Sequence, residues 1–325
     1  MYCKVVVPLD GSELAEGVLP HVVEVIRGRA GHIYLLSAVP PIKGIVPAFV
    51  DVRSSSSGMR EERRRTEREL MEYLQTVAAR LEPVAADVQT SVRFGRPADE
   101  ILAFAGEVGA DLIVMSTHGR SGISRWVFGN VADRVLRGAA CPVLLVRAGR
   151  VEHPIAYQRI LVPLDGSALA EQVLPHVKAL LHLDRASSLE REVRGSTHVY
   201  LLSVLTTGLG DRTVALLTSY PPGLQLATTA LHHAEVQLRG YLRSVAAALR
   251  EQGAVVHVAV QRGSPADEIL AHAAQVEADL IAMTTHGLSG TGRWVYGNVA
   301  GKVLQGARSP VLLVRPTSEQ GGNSL

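Results

Sequence analysis

Short apolar runs alternate with amphipathic stretches along the whole chain. The first run, Cys3-Lys4-Val5-Val6-Val7, is β-rich and ends at Pro8-Leu9-Asp10-Gly11-Ser12, which predicts a strand closed by a turn. Leu14, Ala15, Val18, Leu19, Val22, Val23 and Ile26 then recur at helical spacing. Pro20 lies inside that pattern and predicts a kink or a break. A second apolar strand is predicted at residues 33–36. A stretch rich in Pro, Ser and Gly, residues 40–58, predicts no firm structure. Residues 60–81 predict a charged helix, with Glu61 and Arg65 at i,i+4 spacing. Its arginines are interleaved with Glu61, Glu62, Glu67 and Glu69, the pattern of a solvated face rather than a nucleic-acid patch. A third strand is predicted at 88–92. Pro97 then opens a helix with Asp99 and Glu100 in its first turn, which makes those carboxylates a folding signal rather than a catalytic pair. A fourth strand at 111–115, a last helix from Val131 and a fifth strand at 142–147 complete the series.

The series is then repeated. Residues 4–22 and 159–177 are identical at 14 of 19 positions, and residues 94–147 and 262–315 at 37 of 54. A period this long means two whole domains rather than a solenoid. The predicted domains are residues 1–149 and 156–318, joined near 148–158, where Gly149 and Pro154 interrupt the pattern. Pro175 repeats Pro20, and Pro265 repeats Pro97. The second copy carries a polar insertion around 184–195, expected on the surface, and an irregular region from Thr206 to about Leu226. Strand and helix alternate throughout. The fold class is therefore α/β: two tandem Rossmann-like, doubly wound domains, each a parallel sheet flanked by helices. In such sheets ligands bind beyond the carboxyl ends of the strands, where the strand order reverses.

Candidate chemistry collects at that rim. Asp10 and Asp165 follow the first strand of each copy. After the fourth strand come Ser116-Thr117-His118-Gly119-Arg120-Ser121-Gly122 and, further on, Gly129-Asn130-Val131. The second copy repeats this as Thr284-Thr285-His286-Gly287-Leu288-Ser289-Gly290 and Gly297-Asn298-Val299. A glycine-bearing loop leading into a helix start suits an anion such as phosphate, because the first backbone N–H groups of the helix are unpaired. Neither Gly-x4-Gly-Lys-Ser/Thr nor Gly-x-Gly-x-x-Gly is present, so a P-loop enzyme and a dinucleotide dehydrogenase are not supported. His118 and His286 read as loop-orienting residues, since no Gly-x-Ser-x-Gly elbow or second base accompanies them. Trp126 and Trp294 read as anchors for the loop. Asn130 and Asn298 have two readings, a helix N-cap or a hydrogen-bond donor to a phosphate oxygen.

Composition narrows the field further. The 325 residues are 47% hydrophobic and 20% charged, with a formal net charge of +2, which favours neither nucleic acid nor a membrane surface. Two cysteines, Cys3 and Cys141, make no disulfide framework or metal cluster, and a reducing cytoplasm is the expected compartment. No apolar run reaches the ~18 residues of a membrane span, and the N-terminus has no signal-peptide pattern.

These motifs resemble the universal stress protein family in a tandem, two-domain form, and the resemblance covers nearly the whole chain. Its nucleotide-binding members carry Gly-x2-Gly-x9-Gly-Ser/Thr after strand four. Here Gly119 with Gly129, and Gly287 with Gly297, match the second and third glycines. Ser116 and Thr284 replace the first, and Asn130 and Asn298 the final Ser/Thr. The resemblance implies five parallel strands and four helices per domain. It implies ATP, ADP or AMP as ligand, with Mg²⁺ as a companion. Asp10 and Asp165, beside Pro8 and Pro163, would face the adenine–ribose end, and Ala38 and Val204 would touch adenine through their backbone. Met115, Gly119, Arg120, Gly122, Gly129, Asn130 and Val131, with Met283, Gly287, Gly290, Gly297, Asn298 and Val299, would line the phosphate side. The resemblance also implies a dimer-like pairing of the two domains through the last strand, and a homodimer as a further possibility.

Three function classes stay open on the residues alone: a non-enzymatic nucleotide-binding regulator, a nucleotide-free scaffold, and a slow ATP hydrolase. The first is the leading expectation. Because Arg120 is replaced by Leu288 and Ser124 by Gly292, the first domain is expected to bind ATP more tightly.

Overall fold

The computed structural model describes residues 2–40, 52–117, 129–147, 155–181, 196–206, 221–285 and 297–316. The chain divides into two compact units, Met1–Ile155 and Ala156–Leu325. In the first, β1 (Lys4–Pro8), β2 (His32–Val39), β3 (Asp87–Phe94), β4 (Leu112–Ser116) and β5 (Val143–Val146) pair in parallel in the order β3-β2-β1-β4-β5. In the second, β6 (Arg159–Pro163), β7 (His198–Leu205), β8 (Val255–Arg262), β9 (Leu280–Thr284) and β10 (Val311–Val314) pair in parallel in the order β8-β7-β6-β9-β10. The central strands of such a sheet are covered on both faces, so they read as unbroken apolar runs. Val5, Val6, Val7, Leu112, Ile113 and Val114 are all inaccessible to solvent, as are Ile160, Leu161, Val162, Leu280 and Ile281.

The helix after β1 is broken where Pro20 sits. α1 (Glu13–Glu16) ends, and α2 (Leu19–Ile26) begins with the proline in its first turn, where a missing N–H does no harm. The second domain repeats the break at Pro175, between α6 (Ala168–Glu171) and α7 (Leu174–Leu180). The other helices are α3 (Val52–Leu81), α4 (Pro97–Val108) and α5 (Asn130–Gly138), and in the second domain α8 (Pro221–Arg250), α9 (Pro265–Gln275) and α10 (Asn298–Gly306).

Three expectations need correction. The loop assigned to residues 40–58 ends earlier, because α3 begins at Val52 and runs through Ser54–Ser57 and Gly58. The buried face of Leu74, Val77, Ala78 and Leu81 anchors this helix, and extending an existing helix through weak formers costs little per residue. The irregular region assigned up to Leu226 likewise ends at Pro221, where a proline pair opens α8. Arg65 turns to Glu62 at 2.8 Å and Glu69 at 3.7 Å instead of Glu61. All of these side chains are exposed, so which pair forms hardly affects stability.

The two copies close the helix before β4 or β9 differently. α4 ends on Gly109 at φ 62°, in the left-handed region that glycine enters freely. The corresponding residue after α9 is Glu277, at φ 47°. Glu277→Gly is therefore expected to stabilise the second domain by about 1 kcal/mol. The Arg159–Glu277 ion pair lost at the same time is largely exposed and offsets little of this. Chemical denaturation of the full chain, following the transition of the second domain, measures it.

Candidate functional site

β1 pairs with β2 on one side and β4 on the other, so the strand order reverses between β1 and β4. The segments leaving the carboxyl ends of β1 and β4 face a common crevice. After β1 the chain turns at Gly11, whose φ of 81° is open to glycine alone at little cost. The turn brings Asp10 and Ser12 together. Ser12 donates to Asp10 Oδ1 from its backbone N–H (3.1 Å) and its hydroxyl (2.6 Å), and accepts from the Ala15 N–H at 3.2 Å as the N-cap of α1. One relay thus starts the helix and holds the carboxylate. The second domain builds the same relay: Gly166 at φ 85°, Ser167 donating to Asp165 Oδ1 at 3.0 and 2.6 Å, and Ala170 N–H donating to Ser167 at 3.1 Å.

β2 is tied to this turn by a residue that the motifs did not flag. Ser37 is buried, and its hydroxyl donates to the Leu9 carbonyl at 2.7 Å. Ser203 does the same to Leu164 at 2.6 Å. The signal was a hydroxyl at one place in two otherwise apolar strands, Leu-Leu-Ser-Ala-Val and Leu-Leu-Ser-Val-Leu. A buried polar group needs a partner, and here that partner joins the ends of two strands. Ala38 and Val204 come directly after, half-buried at the carboxyl ends of β2 and β7, in register with Arg93 and Gln261. Pro8 and Pro163 end β1 and β6, and Met115 and Met283 lie buried near the ends of β4 and β9.

On the other side of the crevice, Thr117 N–H donates to Val146 O at 2.9 Å, and Thr117 O accepts from Gly129 N–H at 3.3 Å. The chain that leaves the rim at Thr117 returns to it at Gly129. In the second domain Gly297 donates to Thr285 O at 2.9 Å. A Cβ on Gly129 would lie 3.0 Å from Thr117 O, whereas one on Gly297 would lie 3.5 Å from Thr285 O. The first closure leaves less room for a side chain, while the second has the shorter hydrogen bond.

The N-cap reading of Asn130 and Asn298 is overturned. The cap positions are Gly129 and Gly297, neither of which has a side chain to cap with, and the asparagines are the first helical residues. Both are exposed. At that position a side chain projects outward instead of folding back over the N–H groups. The backbone N–H groups of Asn130, Val131 and Ala132 have no acceptor among the described residues, and the same holds for Asn298, Val299 and Ala300. Each crevice therefore has an acceptor on one wall, the Asp carboxylate, and bare donors on the other.

A family model for universal stress proteins matches this chain twice, over residues 1–147 and 156–315. The chain belongs to the universal stress protein family. A universal stress protein of Methanocaldococcus jannaschii is 33% identical over 154 residues, 47% of this chain and 86% of that one. Another, of Mycobacterium bovis, is 28% identical over 241 residues, 72% of each chain. The crystal structure of a universal stress protein from Archaeoglobus fulgidus shares the tandem fold, with a TM-score of 0.61 at 19% identity, covering 98% of this chain and 97% of that one.

The family's first loop glycine is Ser116 here and Thr284 in the second domain. A Cβ is tolerated at both, since Glu277 is the one residue other than glycine at positive φ among the described residues. Gly119, Arg120, Gly122, Gly287 and Gly290 lie outside the described residues, as do His118, His286, Trp126, Trp294 and the insertion at 184–195. Asp99, expected to be a folding signal, pairs with Arg134 of α5 at 3.2 Å on the surface. Glu100 and its counterpart Glu268 fold back over Gly95 and Gly263, where a Cβ would meet their carboxylates. No group of three metal-ligating side chains occurs among the described residues, and no described helix is long and apolar enough to cross a membrane. Both cysteines are free thiols, and burial pushes that of Cys141 up to about 11, away from reactive thiolate chemistry.

Proposed function

We propose that this tandem universal stress protein is an adenine-nucleotide-binding regulatory module of the stress response, with one site in each domain and no catalytic turnover of its own. The observation that carries this reading is the polarity of each crevice. A carboxylate accepts hydrogen bonds only, so Asp10 and Asp165 suit the donor end of a nucleotide, the ribose hydroxyls or an amine. The bare helix starts at Asn130 and Asn298 suit its anionic end. The asparagine amides add side-chain N–H donors at the same helix starts. The residues therefore fit ATP, ADP or AMP, and Mg²⁺ would accompany the phosphates. The alternative, a nucleotide-free scaffold acting through its dimer surface, took Asn130 and Asn298 as caps only, whereas the cap positions are Gly129 and Gly297. The reading includes pairing of the two domains as a unit within one chain and a homodimer of chains, the latter read by sedimentation.

The test is to denature the purified protein, count the adenine nucleotide released per chain, and titrate the emptied protein with ATP and Mg²⁺. Between one and two nucleotides per chain is the expected result, with one supporting the stronger first site argued from Arg120. No release and no heat on titration would sink the proposal. ATP turnover clearly above that of a Gly129→Val variant would instead favour the hydrolase reading.

A further inference from the structure

The ladder between β1 and β2 ends on a side chain, and the ladder between β6 and β7 ends the same way. Leu9 N–H donates to Leu36 O at 2.8 Å. In a parallel pair the next rung would run from the Ala38 N–H to the Leu9 carbonyl. No backbone bond joins those two groups. The Leu9 carbonyl accepts from the Ser37 hydroxyl instead, at 2.7 Å. In the second domain Leu164 N–H donates to Leu202 O at 2.8 Å, and no rung from Val204 follows. There the Ser203 hydroxyl takes the Leu164 carbonyl at 2.6 Å. Both serines are 1% exposed, so water does not compete for these bonds.

The side-chain bond leaves the backbone of the following residue open. Along a strand the N–H and C=O groups of successive residues point alternately to one neighbouring strand and the other. Leu36 bonds towards β1, and Val39 O accepts from Gly95 N–H on the β3 side at 2.9 Å. Ala38, between them in that alternation, presents its N–H and C=O on the β1 side, where β1 has already turned away at Asp10. Val204 is placed alike, since Leu202 bonds to Leu164 and Leu205 O accepts from Gly263 N–H at 3.1 Å. Both residues are half-buried, on the same rim as Asp10 and Asp165. A backbone donor beside a backbone acceptor fits a base edge that carries the complementary pair, as adenine carries N1 beside its 6-amino group. Hypoxanthine carries the reverse pair, an N1–H donor beside an O6 acceptor.

We infer that Ser37 and Ser203 are positioning residues: each hydroxyl occupies the carbonyl that would close the ladder, and so keeps the backbone of Ala38 or Val204 open for the edge of an adenine base. This rests on the nucleotide-binding reading above. The hydroxyls are out of solvent, so they act through the backbone and do not touch the ligand. The same bond fixes the orientation of the Leu9–Asp10 peptide, because the Leu9 carbonyl and the Asp10 N–H belong to one planar unit. One side chain thus sets both the open strand edge and the start of the Asp10 turn.

Ser→Ala removes the hydroxyl and frees the carbonyl for the missing rung. The full-length Ser37→Ala/Ser203→Ala double variant is titrated with ATP and with ITP, beside the wild type and beside Ser37→Thr/Ser203→Thr, which keeps the hydroxyls. Hydrogen exchange at the Ala38 and Val204 amides is followed on the empty proteins. The wild type is expected to prefer ATP to ITP. In the alanine variant the affinity for ATP should fall roughly tenfold while that for ITP stays unchanged, and the two amides should exchange more slowly. The threonine variant should keep the preference for ATP. An alanine variant that prefers ATP as strongly as the wild type would overturn the role of the serines while leaving nucleotide binding intact. That outcome includes an equal loss for both ligands, which would mark the serines as merely structural. Amides that exchange no more slowly in the alanine variant would overturn closure of the ladder, and the inference with it. A wild type that binds neither nucleotide would overturn nucleotide binding itself.

Discussion

Lowering the pH from 7 to 4 is expected to remove about 3 kcal/mol from the stability of the first domain through His21 alone. His21 lies on α2 with 4% of its surface exposed, and burial lowers its pKa from the ordinary 6.5 to about 4. Below pH 6.5 the unfolded chain takes up a proton that the folded domain refuses until about pH 4. Between those values the unfolded state binds more protons, so stability falls as the pH falls. Below pH 4 both states are protonated and the effect saturates. His176, in the corresponding place on α7, is also lowered by burial but is only half-buried, so the second domain follows the same direction less steeply. Urea denaturation at half-unit steps of pH measures the slope. His21→Gln should flatten it in the first domain whatever it does to absolute stability, and an unchanged slope would show that other groups carry the acid sensitivity.

Gly129→Val is expected to weaken ATP binding in the first domain by about 3 kcal/mol, roughly a hundredfold. Backbone dihedrals are not the obstacle, since Gly129 has φ −59° and ψ 136°, which valine adopts readily. The obstacle is contact: a Cβ there meets the Thr117 carbonyl at 3.0 Å, and the branched methyls of valine add bulk at the same place. Relief of the contact parts Thr117 from Gly129 and opens the closure of the loop. The corresponding space at Gly297 is wider, at 3.5 Å, so Gly297→Ala should be nearly silent where Gly129→Ala is felt. Calorimetric titration of each variant, with a denaturation curve to confirm the fold, decides the matter. Equal effects at the two glycines would mean that the closures are equivalent in solution.

Much of this architecture could be read from the residues because it rests on local rules. Pro20 and Pro175 break a helix wherever they fall inside one, and Pro97 and Pro265 open one, for reasons contained in the proline ring. Apolar runs such as Val5-Val6-Val7 and Leu112-Ile113-Val114 have one stable home, a strand covered on both faces. Asp10 could be placed at the rim because it lies just past the first of those runs. The misplaced helix starts at Val52 and Pro221 are of another kind, since those helices are held by buried faces far along the chain, at Leu74 and Leu242.

The sequence by itself determined the repeat, the α/β class and the rim to which Asp10 and Asp165 belong. All of these come from periodicity and from residues adjacent in the chain. Only the tertiary structure decided that Ser37 bonds Leu9 across 28 residues, that Gly129 returns to Thr117, and that Gly129 rather than Asn130 caps α5. Each of these is a contact between segments that only packing brings together. A hydrogen-bonding side chain can satisfy several partners equally well until the fold has chosen which one is near.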